Sequence, residues 1–505
     1  LSAPHRLVFD FVQPPERLSQ ITVNGREIEP QHVNGHIIVP ASATRAGRNE
    51  VAFEFLAGDE ALNRNDEFLY TLFVPARAQL AFPSFDQPDL KALYTLALEV
   101  PDGWEAVANG AERRREGTLI EFEETAPLPT YLFSFAAGKF SMETATRDGR
   151  QLRMFHRETD AAKVGRNREA IFDLHGRALS WLADYTDIPY AFGKFDFVLI
   201  PSFQFGGMEH AGAILYNQAG LMLDESATQN QLLERASLIA HETSHMWFGD
   251  LVTMEWFNDV WMKEVFANFM AAKIVNPSFP DVNHDLRFLL AHYPSAYQVD
   301  RTAGTNPIRQ RLGNLSDAGQ MYGPIIYQKA PIVMRQLEMM VGEEAFREAM
   351  REYLRRYAFG NATWLDLVRI LDERTPRDIA TWSRAWVEER GRPEFVTAIR
   401  TNGSGRLTGI TLTMNDPINR DLAWPQRLHV SLGYRDRVRT LVVVVAGPVT
   451  PVTAAGLDRP LYVLPNGGGI GYGLFVLDDE SREYLLDDVE EVPDVRVIAP
   501  NGPRY

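Results

Sequence analysis

The chain has 505 residues, of which 45% are hydrophobic and 23% charged, the proportions of an ordinary globular protein rather than of a disordered one. Its formal net charge of -16 makes it a poor partner for nucleic acid or for an anionic membrane face. It contains no cysteine, which excludes disulfides, thiolate nucleophiles and thiolate metal ligands, so a metal would need His, Asp, Glu or backbone oxygen.

Short alternating apolar runs, separated by turn residues such as Asn109-Gly110, occupy the chain up to about residue 145. The length suggests about three domains, and this pattern predicts an all-β domain over residues 1–145. The predicted strands include Arg6 to Val12, Ile21 to Val23, Ala92 to Val100, Leu119 to Phe122 and Tyr131 to Ala136.

A helical period follows and predicts a mostly helical domain over residues 146–393, with a small sheet at its start. The sheet would contain the strand Phe195 to Ile200. The predicted helices include Ala170 to Tyr185, Gln229 to Phe248, Asp259 to Val275, Pro331 to Val341, Glu344 to Tyr357 and Trp364 to Arg374.

Alternation of apolar and polar residues returns after about Phe395 and predicts a small β-sandwich over residues 394–505. The strands expected there are Leu407 to Met414, Gln426 to Tyr434, Thr440 to Ala446 and Tyr472 to Val476. The longest apolar run, Leu441 to Ala446, is strand-sized, so no integral membrane segment is predicted. The acidic stretch Asp478 to Glu491 is interpreted as a solvated helix face.

The segment His241-Glu-Thr-Ser-His245 lies within a predicted helix, where Ser226 and Gln229 have capping-box spacing at the start. Residues four apart share one side of a helix, so both imidazoles can reach one metal ion. Glu242 lies one position away, which suits a general base acting on water. A helical histidine pair is often only a packed or solvated pair, so the segment alone leaves metal binding open.

A third ligand is supplied by Glu264, nineteen positions after His245, on a predicted helix for which Asn258 is a plausible cap. Two helices packed together could bring Glu264 opposite the histidine pair. Two His and one Glu leave the fourth position of a tetrahedral zinc site open, which is the catalytic arrangement rather than the structural one. The sequence therefore predicts one catalytic Zn²⁺ ion.

The sequence motifs around these residues resemble those of the aminopeptidase N and leukotriene hydrolase family of gluzincin zinc metallopeptidases. The matching segments are His241-Glu-Thr-Ser-His-Met-Trp-Phe-Gly-Asp-Leu-Val-Thr253, Glu264-Val-Phe-Ala267, Gly206-Gly-Met-Glu-His210, Phe82-Pro-Ser-Phe-Asp-Gln-Pro-Asp-Leu-Lys-Ala92 and Tyr327-Gln-Lys-Ala330. They run from the first domain through the second in the order expected for the family.

The resemblance implies a role for each matching position. His241, His245 and Glu264 would bind zinc, and Glu242 would be the general base. The remaining roles concern the substrate. Tyr327 would donate a hydrogen bond to the oxyanion of the tetrahedral intermediate, Glu209 would hold the free amino group, and the segment Gly206, Gly207, Met208, Glu209 and His210 would lie on a strand edge along which a peptide can pair.

Three departures from the family pattern matter. His210 replaces the usual asparagine, and Val265 replaces the usual glycine. Leu72 and Val74 stand where the family usually has a glutamine and a glutamate, so one of two carboxylates expected to hold the substrate ammonium is missing. Loss of such a charge-assisted bond would weaken selectivity for a free amino terminus.

The expected fold class is a multidomain α+β protein. It comprises an N-terminal β-sandwich-like domain, a thermolysin-like, mostly helical catalytic domain and a C-terminal small β-sandwich. Larger family members carry a further helical domain, so the chain is expected to be either a naturally short member or a fragment. The lack of cysteine suits both exported and cytosolic proteins, and a periplasmic or extracellular location is favoured over the cytoplasm.

Three functional hypotheses follow. The first is a broad zinc aminopeptidase with peptide substrates. The second, motivated by Leu72 and Val74, is a peptidase with a relaxed amino-terminus requirement, such as an endopeptidase. The third is an inactive zinc-bound protein that binds peptides. Oligomeric state is not predicted from these residues.

Overall fold

The computed structural model describes residues 1–29 and 31–487. Its residues fall into two units. The first comprises Leu1–Val275, Leu312–Gly319 and Leu354–Thr363. The second comprises Asn276–Arg311, Gln320–Tyr353 and the described residues from Trp364 onward. The chain has a mixed α+β architecture with an N-terminal β-rich part and a helical part, in agreement with the expected fold class at that level.

Short antiparallel strands make up the N-terminal part of the first unit. They are Leu7–Asp10, Leu18–Val23, Arg26–Ile28, Gln31–Val33, His36–Val39, Val51–Phe55, Leu62–Arg64, Phe68–Thr71, Ala97–Glu99, Glu105–Ala108, Glu112–Glu116, Leu119–Phe122 and Phe135–Gly138. The predicted strand over Ala92 to Val100 is wrong in its first half, because only Ala97–Glu99 is extended in a sheet.

The sequence pattern explains one hairpin of this part in detail. Leu18–Val23 buries Leu18, Ile21 and Val23 in a core with Phe11, while intervening side chains face outward. Val23 pairs with Arg26, leaving Asn24-Gly25 as a two-residue turn with φ of 53° and 75°. Positive φ at both positions is the type I′ geometry that favours Asn-Gly.

A five-stranded sheet carries the segment that bears Glu209. Its strands are Ser141–Arg147, Arg150–His156, Phe195–Ile200, Gly207–Met208 and Ala213–Asn217. Gly207–Met208 lies at one end of the sheet and pairs antiparallel with Ala213–Asn217. The predicted strand Phe195–Ile200 is confirmed and is buried throughout, because it pairs in parallel with a strand on each side.

The predicted helices are present in the predicted order, most with small shifts of their ends, although the first begins nine residues before the predicted start at Ala170. They are α1 (Ala161–Thr186), α2 (Gln218–Leu221), α3 (Gln229–His245), α4 (Val260–Val275), α5 (His284–Asp300), α6 (Ala330–Val341), α7 (Glu343–Tyr357), α8 (Trp364–Asp372), α9 (Ile379–Ser383) and α10 (Asp479–Asp487). The short strands Thr253–Met254 and Asn361–Ala362 pair with each other in the first unit.

Two predicted helix caps are wrong. Thr228, not Ser226, caps α3, and its side chain forms a reciprocal capping box with Gln231. Asn258 does not cap α4, because its Oδ1 accepts from the backbone N–H of Leu312 and a 3₁₀ turn over Phe257–Asp259 leads into the helix. Both corrections leave the helices themselves in place.

The second unit contains α5, α6, α8, α9, most of α7 and the C-terminal strands. The strands are Glu394–Thr401, Leu407–Asn415, Gln426–Gly433, Val438–Val445, Val449–Val452, Tyr462–Leu464 and Leu474–Val476. They form a four-stranded and a three-stranded sheet. Asp300, at the end of α5, and Lys329, just before α6, make an ion pair of 2.9 Å with neither side chain exposed.

The predicted acidic helix corresponds to α10 for the residues that are described, and its continuation from 488 to Glu491 lies outside them. Among the helices of the described residues, none is both long and apolar enough to cross a bilayer.

Candidate functional site

His241, His245 and Glu264 lie on two helices of the first unit, the histidines at the end of α3 and the glutamate in the second turn of α4. Nε2 of His241 lies 3.0 Å from Nε2 of His245 and 3.7 Å from Oε2 of Glu264. The ligand atoms of all three lie within 4.8 Å of one another. The structure thus brings the three side chains to one point.

The outward-facing nitrogens of both rings are already engaged. Nδ1 of His241 lies 3.0 Å from Oδ1 of Asn268, and Nδ1 of His245 lies 3.1 Å from the carbonyl oxygen of Phe248. An acceptor beside Nδ1 keeps the ring proton there and leaves the lone pair on Nε2. Burial, together with His245, lowers the pKa of His241 to about 4, so this ring is neutral near pH 7.

Two Nε2 lone pairs facing each other at 3.0 Å repel unless a cation lies between them. Two neutral imidazoles and one carboxylate, with a further coordination position open, are the donor set of a catalytic zinc ion. The residues His241, His245 and Glu264 therefore fit the metal by their chemistry as well as by their convergence.

Glu242 follows His241 on α3 and has only 4% of its surface exposed. A carboxylate oxygen of Glu242 lies within 4.8 Å of both a ring nitrogen of His245 and a carboxylate oxygen of Glu209. Burial raises the pKa of Glu242 well above its usual range, and the charge of Glu209 raises it further. Gly207 makes room for this side chain, because a Cβ at position 207 would lie 2.4 Å from Oε1 of Glu242.

The segment Gly206 to His210 lies at the end of the five-stranded sheet. The backbone of Gly207 pairs with Tyr216, and that of Met208 with Leu215. This pairing uses one side of the strand, so the other side presents backbone groups to which an extended peptide can hydrogen bond. Met208 and Glu209 are buried, with 3% and 4% exposed.

Sequence reasoning missed Lys263, the residue before Glu264. Its Nζ lies 2.5 Å from Oε1 of Glu209 and 3.1 Å from Oε1 of Glu264, and 5% of the lysine side chain is exposed. Burial by itself raises the pKa of Glu209, but the ammonium group of Lys263 outweighs it and holds that pKa well below its usual range. The available signal was a lone lysine within an otherwise apolar stretch of α4 beside a predicted ligand.

His210, which replaces the usual asparagine of the family, lies in the interior of the first unit. It is fully buried, and neither ring nitrogen has a hydrogen-bond partner among the described residues. Burial lowers its pKa to about 4, so the ring is neutral near pH 7. Leu72 is fully buried and Val74 is partly buried, and both side chains are apolar.

Tyr327 belongs to the second unit, where it lies in a π-helical turn, Ile325–Lys329, immediately before α6. Its ring centroid lies 6.3 Å from that of Tyr322. Its part in the chemistry stays a prediction from the sequence.

Comparison with known proteins gives two family matches. The Peptidase family M1 domain matches residues 171–386, and the Peptidase M1 N-terminal domain matches residues 58–132. Aminopeptidase N of Streptomyces lividans is 30% identical over 96% of this chain and 60% of its own length. Leucyl aminopeptidase of Saccharolobus solfataricus is 30% identical over 77% of this chain and 50% of its own.

A third relative, puromycin-sensitive aminopeptidase of Caenorhabditis elegans, is 28% identical over 85% of this chain and 46% of its own length. The chain therefore spans about half the length of the curated relatives that it matches. The M1 family implies zinc, and the His and Glu groups described above could bind a metal.

Proposed function

Because the chain belongs to the aminopeptidase N family of gluzincin metallopeptidases, we propose that it is a zinc-dependent aminopeptidase that removes the first residue of peptides. His241, His245 and Glu264 would hold one zinc ion. The observation that carries the proposal is their convergence within 4.8 Å while both Nδ1 atoms are engaged elsewhere.

When bound, zinc supplies a Lewis acid that polarises the scissile carbonyl group and makes water more acidic. Glu242 takes the proton of the attacking water and passes it to the leaving amine. Gly207 leaves the space in which the Glu242 carboxylate lies. For Tyr327, the family resemblance implies a hydrogen bond to the oxyanion of the tetrahedral intermediate, and this role stays a prediction from the sequence.

The substrate would extend along the strand Gly207–Met208, whose backbone groups on the unpaired side bond to the peptide. Glu209, at the end of this strand, accepts hydrogen bonds from the free amino group. The proximity of Glu209 to Glu242 supports this proposal, because removal of a single residue requires the amino terminus to be bound beside the reacting bond.

The test compares an aminoacyl reporter with its N-acetylated form, with and without a chelator, on the purified protein. We expect hydrolysis of the free form to exceed that of the acetylated form, to stop with the chelator and to return with added zinc. Equal turnover of both forms would contradict an exopeptidase. Zinc binding without any hydrolysis would leave a peptide-binding protein.

A second candidate is a peptidase with a relaxed amino-terminus requirement. The apolar Leu72 and Val74 favour it, because they supply no second carboxylate for the substrate ammonium. It predicts cleavage of blocked peptides that is abolished by Glu242→Gln. Blocked peptides that stay intact would rule it out.

A further inference from the structure

Lys263 and Glu209 form an ion pair inside the first unit. Nζ of Lys263 lies 2.5 Å from Oε1 of Glu209, and each side chain has only 5% of its surface exposed. The same Nζ lies 5.4 Å from the centroid of the Tyr131 ring, within the range of a cation–π contact. The lysine ammonium is therefore held on the carboxylate that the proposed function assigns to the substrate.

Lys263 also contacts Glu264 without blocking the side of it that faces the histidines. Nζ lies 3.1 Å from Oε1 of Glu264, whereas Oε2 lies 3.7 Å from Nε2 of His241. The two oxygens of Glu264 thus serve different partners.

A substrate ammonium that approaches Glu209 meets a carboxylate that already has a counter-ion. Binding beside Lys263 places two like charges on one carboxylate, and displacing the lysine exchanges one ammonium contact for another. In either case the substrate ammonium gains less binding free energy than it would from an unpaired carboxylate. The segment with Leu72 and Val74 offers no second carboxylate in compensation.

We infer that Lys263 is a specificity-determining residue that lowers the preference of the enzyme for substrates with a free α-ammonium group, by holding the carboxylate that would bind it. This inference rests on the proposed function. It identifies the substrate class as peptides for which a free amino terminus gives only a modest advantage over a blocked one. A purely structural ion pair would affect free and blocked substrates alike.

The test uses the full chain with its metal and measures kcat/KM for a leucyl reporter and for its N-acetylated form. Lys263→Gln keeps a hydrogen-bonding side chain and removes the charge. We expect the ratio of free to blocked kcat/KM to rise at least about tenfold, the size of one charge-assisted hydrogen bond, mainly through KM of the free substrate. Lys273→Gln, on the same helix and partly exposed, is the matched control and leaves the ratio unchanged.

An unchanged ratio in Lys263→Gln, with both rates reduced equally, would overturn the inference, as would a falling ratio. Zinc content and melting temperature are recorded for each variant, so that loss of metal or of fold is recognised separately. If the wild-type protein does not hydrolyse the free reporter, or hydrolyses both reporters equally, the proposed function fails instead.

A binding measurement on the unaltered protein gives a second test that needs no variant. Isoamylamine and isoamyl alcohol share one apolar chain and differ in the charged head group. Calorimetry is expected to show affinities within about tenfold of each other, because Glu209 already has its counter-ion. A preference of a hundredfold or more for the amine would overturn the inference.

Discussion

Replacing Gly207 by alanine adds one methyl group directly against the proposed general base. The new Cβ would lie 2.4 Å from Oε1, 2.5 Å from Cδ and 2.6 Å from Cγ of Glu242. Ordinary van der Waals contact requires about 3.4 Å, so the carboxylate has to move by about 1 Å. A displacement of that size at a reacting group lowers the rate by about a hundredfold.

The assay is kcat/KM for an aminoacyl reporter, with zinc content and melting temperature measured on the same sample. We expect Gly207→Ala to lose about a hundredfold in kcat/KM, to keep its zinc and to unfold close to the wild-type temperature, because its backbone φ is not positive. The matched control is Gly220→Ala, whose Cβ would make an ordinary 3.4 Å contact with Leu238. Wild-type kinetics in Gly207→Ala would refute the steric argument.

Three further predictions concern stability. His175 is fully buried, and burial lowers its pKa to about 4. Below about pH 6.5 the unfolded chain therefore binds a proton at this residue that the folded chain does not bind, and stability is lost as the pH falls. The fall in unfolding free energy between pH 8 and pH 5 is therefore expected to be about 2 kcal/mol smaller in His175→Phe, measured by urea denaturation, and an unchanged fall would contradict this. Asp300→Asn leaves Lys329 buried without its counter-ion and is expected to lower the unfolding free energy by about 3–5 kcal/mol, with partial recovery in the double variant Asp300→Asn/Lys329→Met. A double variant no more stable than the single one would contradict that reasoning. Chelation is expected to lower the melting temperature of the wild type but not of His241→Ala, since only the former has a complete ligand set; equal shifts would place the metal elsewhere.

Much of the fold could be predicted because periodic patterns dominate it. The apolar run Phe195–Ile200 and the helix starting at Gln229 depend on local spacing, which the sequence displays directly. The helix α5 is less visible, because Pro294 lies inside it and interrupts the helical pattern. The predicted cap at Asn258 is wrong because Asn258 bonds to Leu312, fifty-four positions away, and local spacing carries no information about such a partner. The cap predicted at Ser226 is wrong by a local shift of two positions, to Thr228.

The site residues also fall into those that the sequence displays and those that only the folded chain displays. The spacing of His241 and His245 predicts that they share one side of a helix. The sequence motifs that resemble the family indicate Glu264 and Glu242. The pairing of Lys263 with Glu209 spans fifty-four positions between a helix and a sheet edge, so only the folded chain displays it. The full burial of His210 is likewise displayed only by the folded chain.

The most direct test of the central claim is the Glu242→Gln variant, assayed for bound zinc and for hydrolysis of a free aminoacyl reporter. The side chain keeps its size but can no longer take a proton, while His241, His245 and Glu264 are unchanged. We expect about one zinc ion per chain, as in the wild type, and a loss of at least about a thousandfold in kcat. Retained hydrolysis in this variant, or a wild-type protein that hydrolyses the reporter without zinc, would contradict the account.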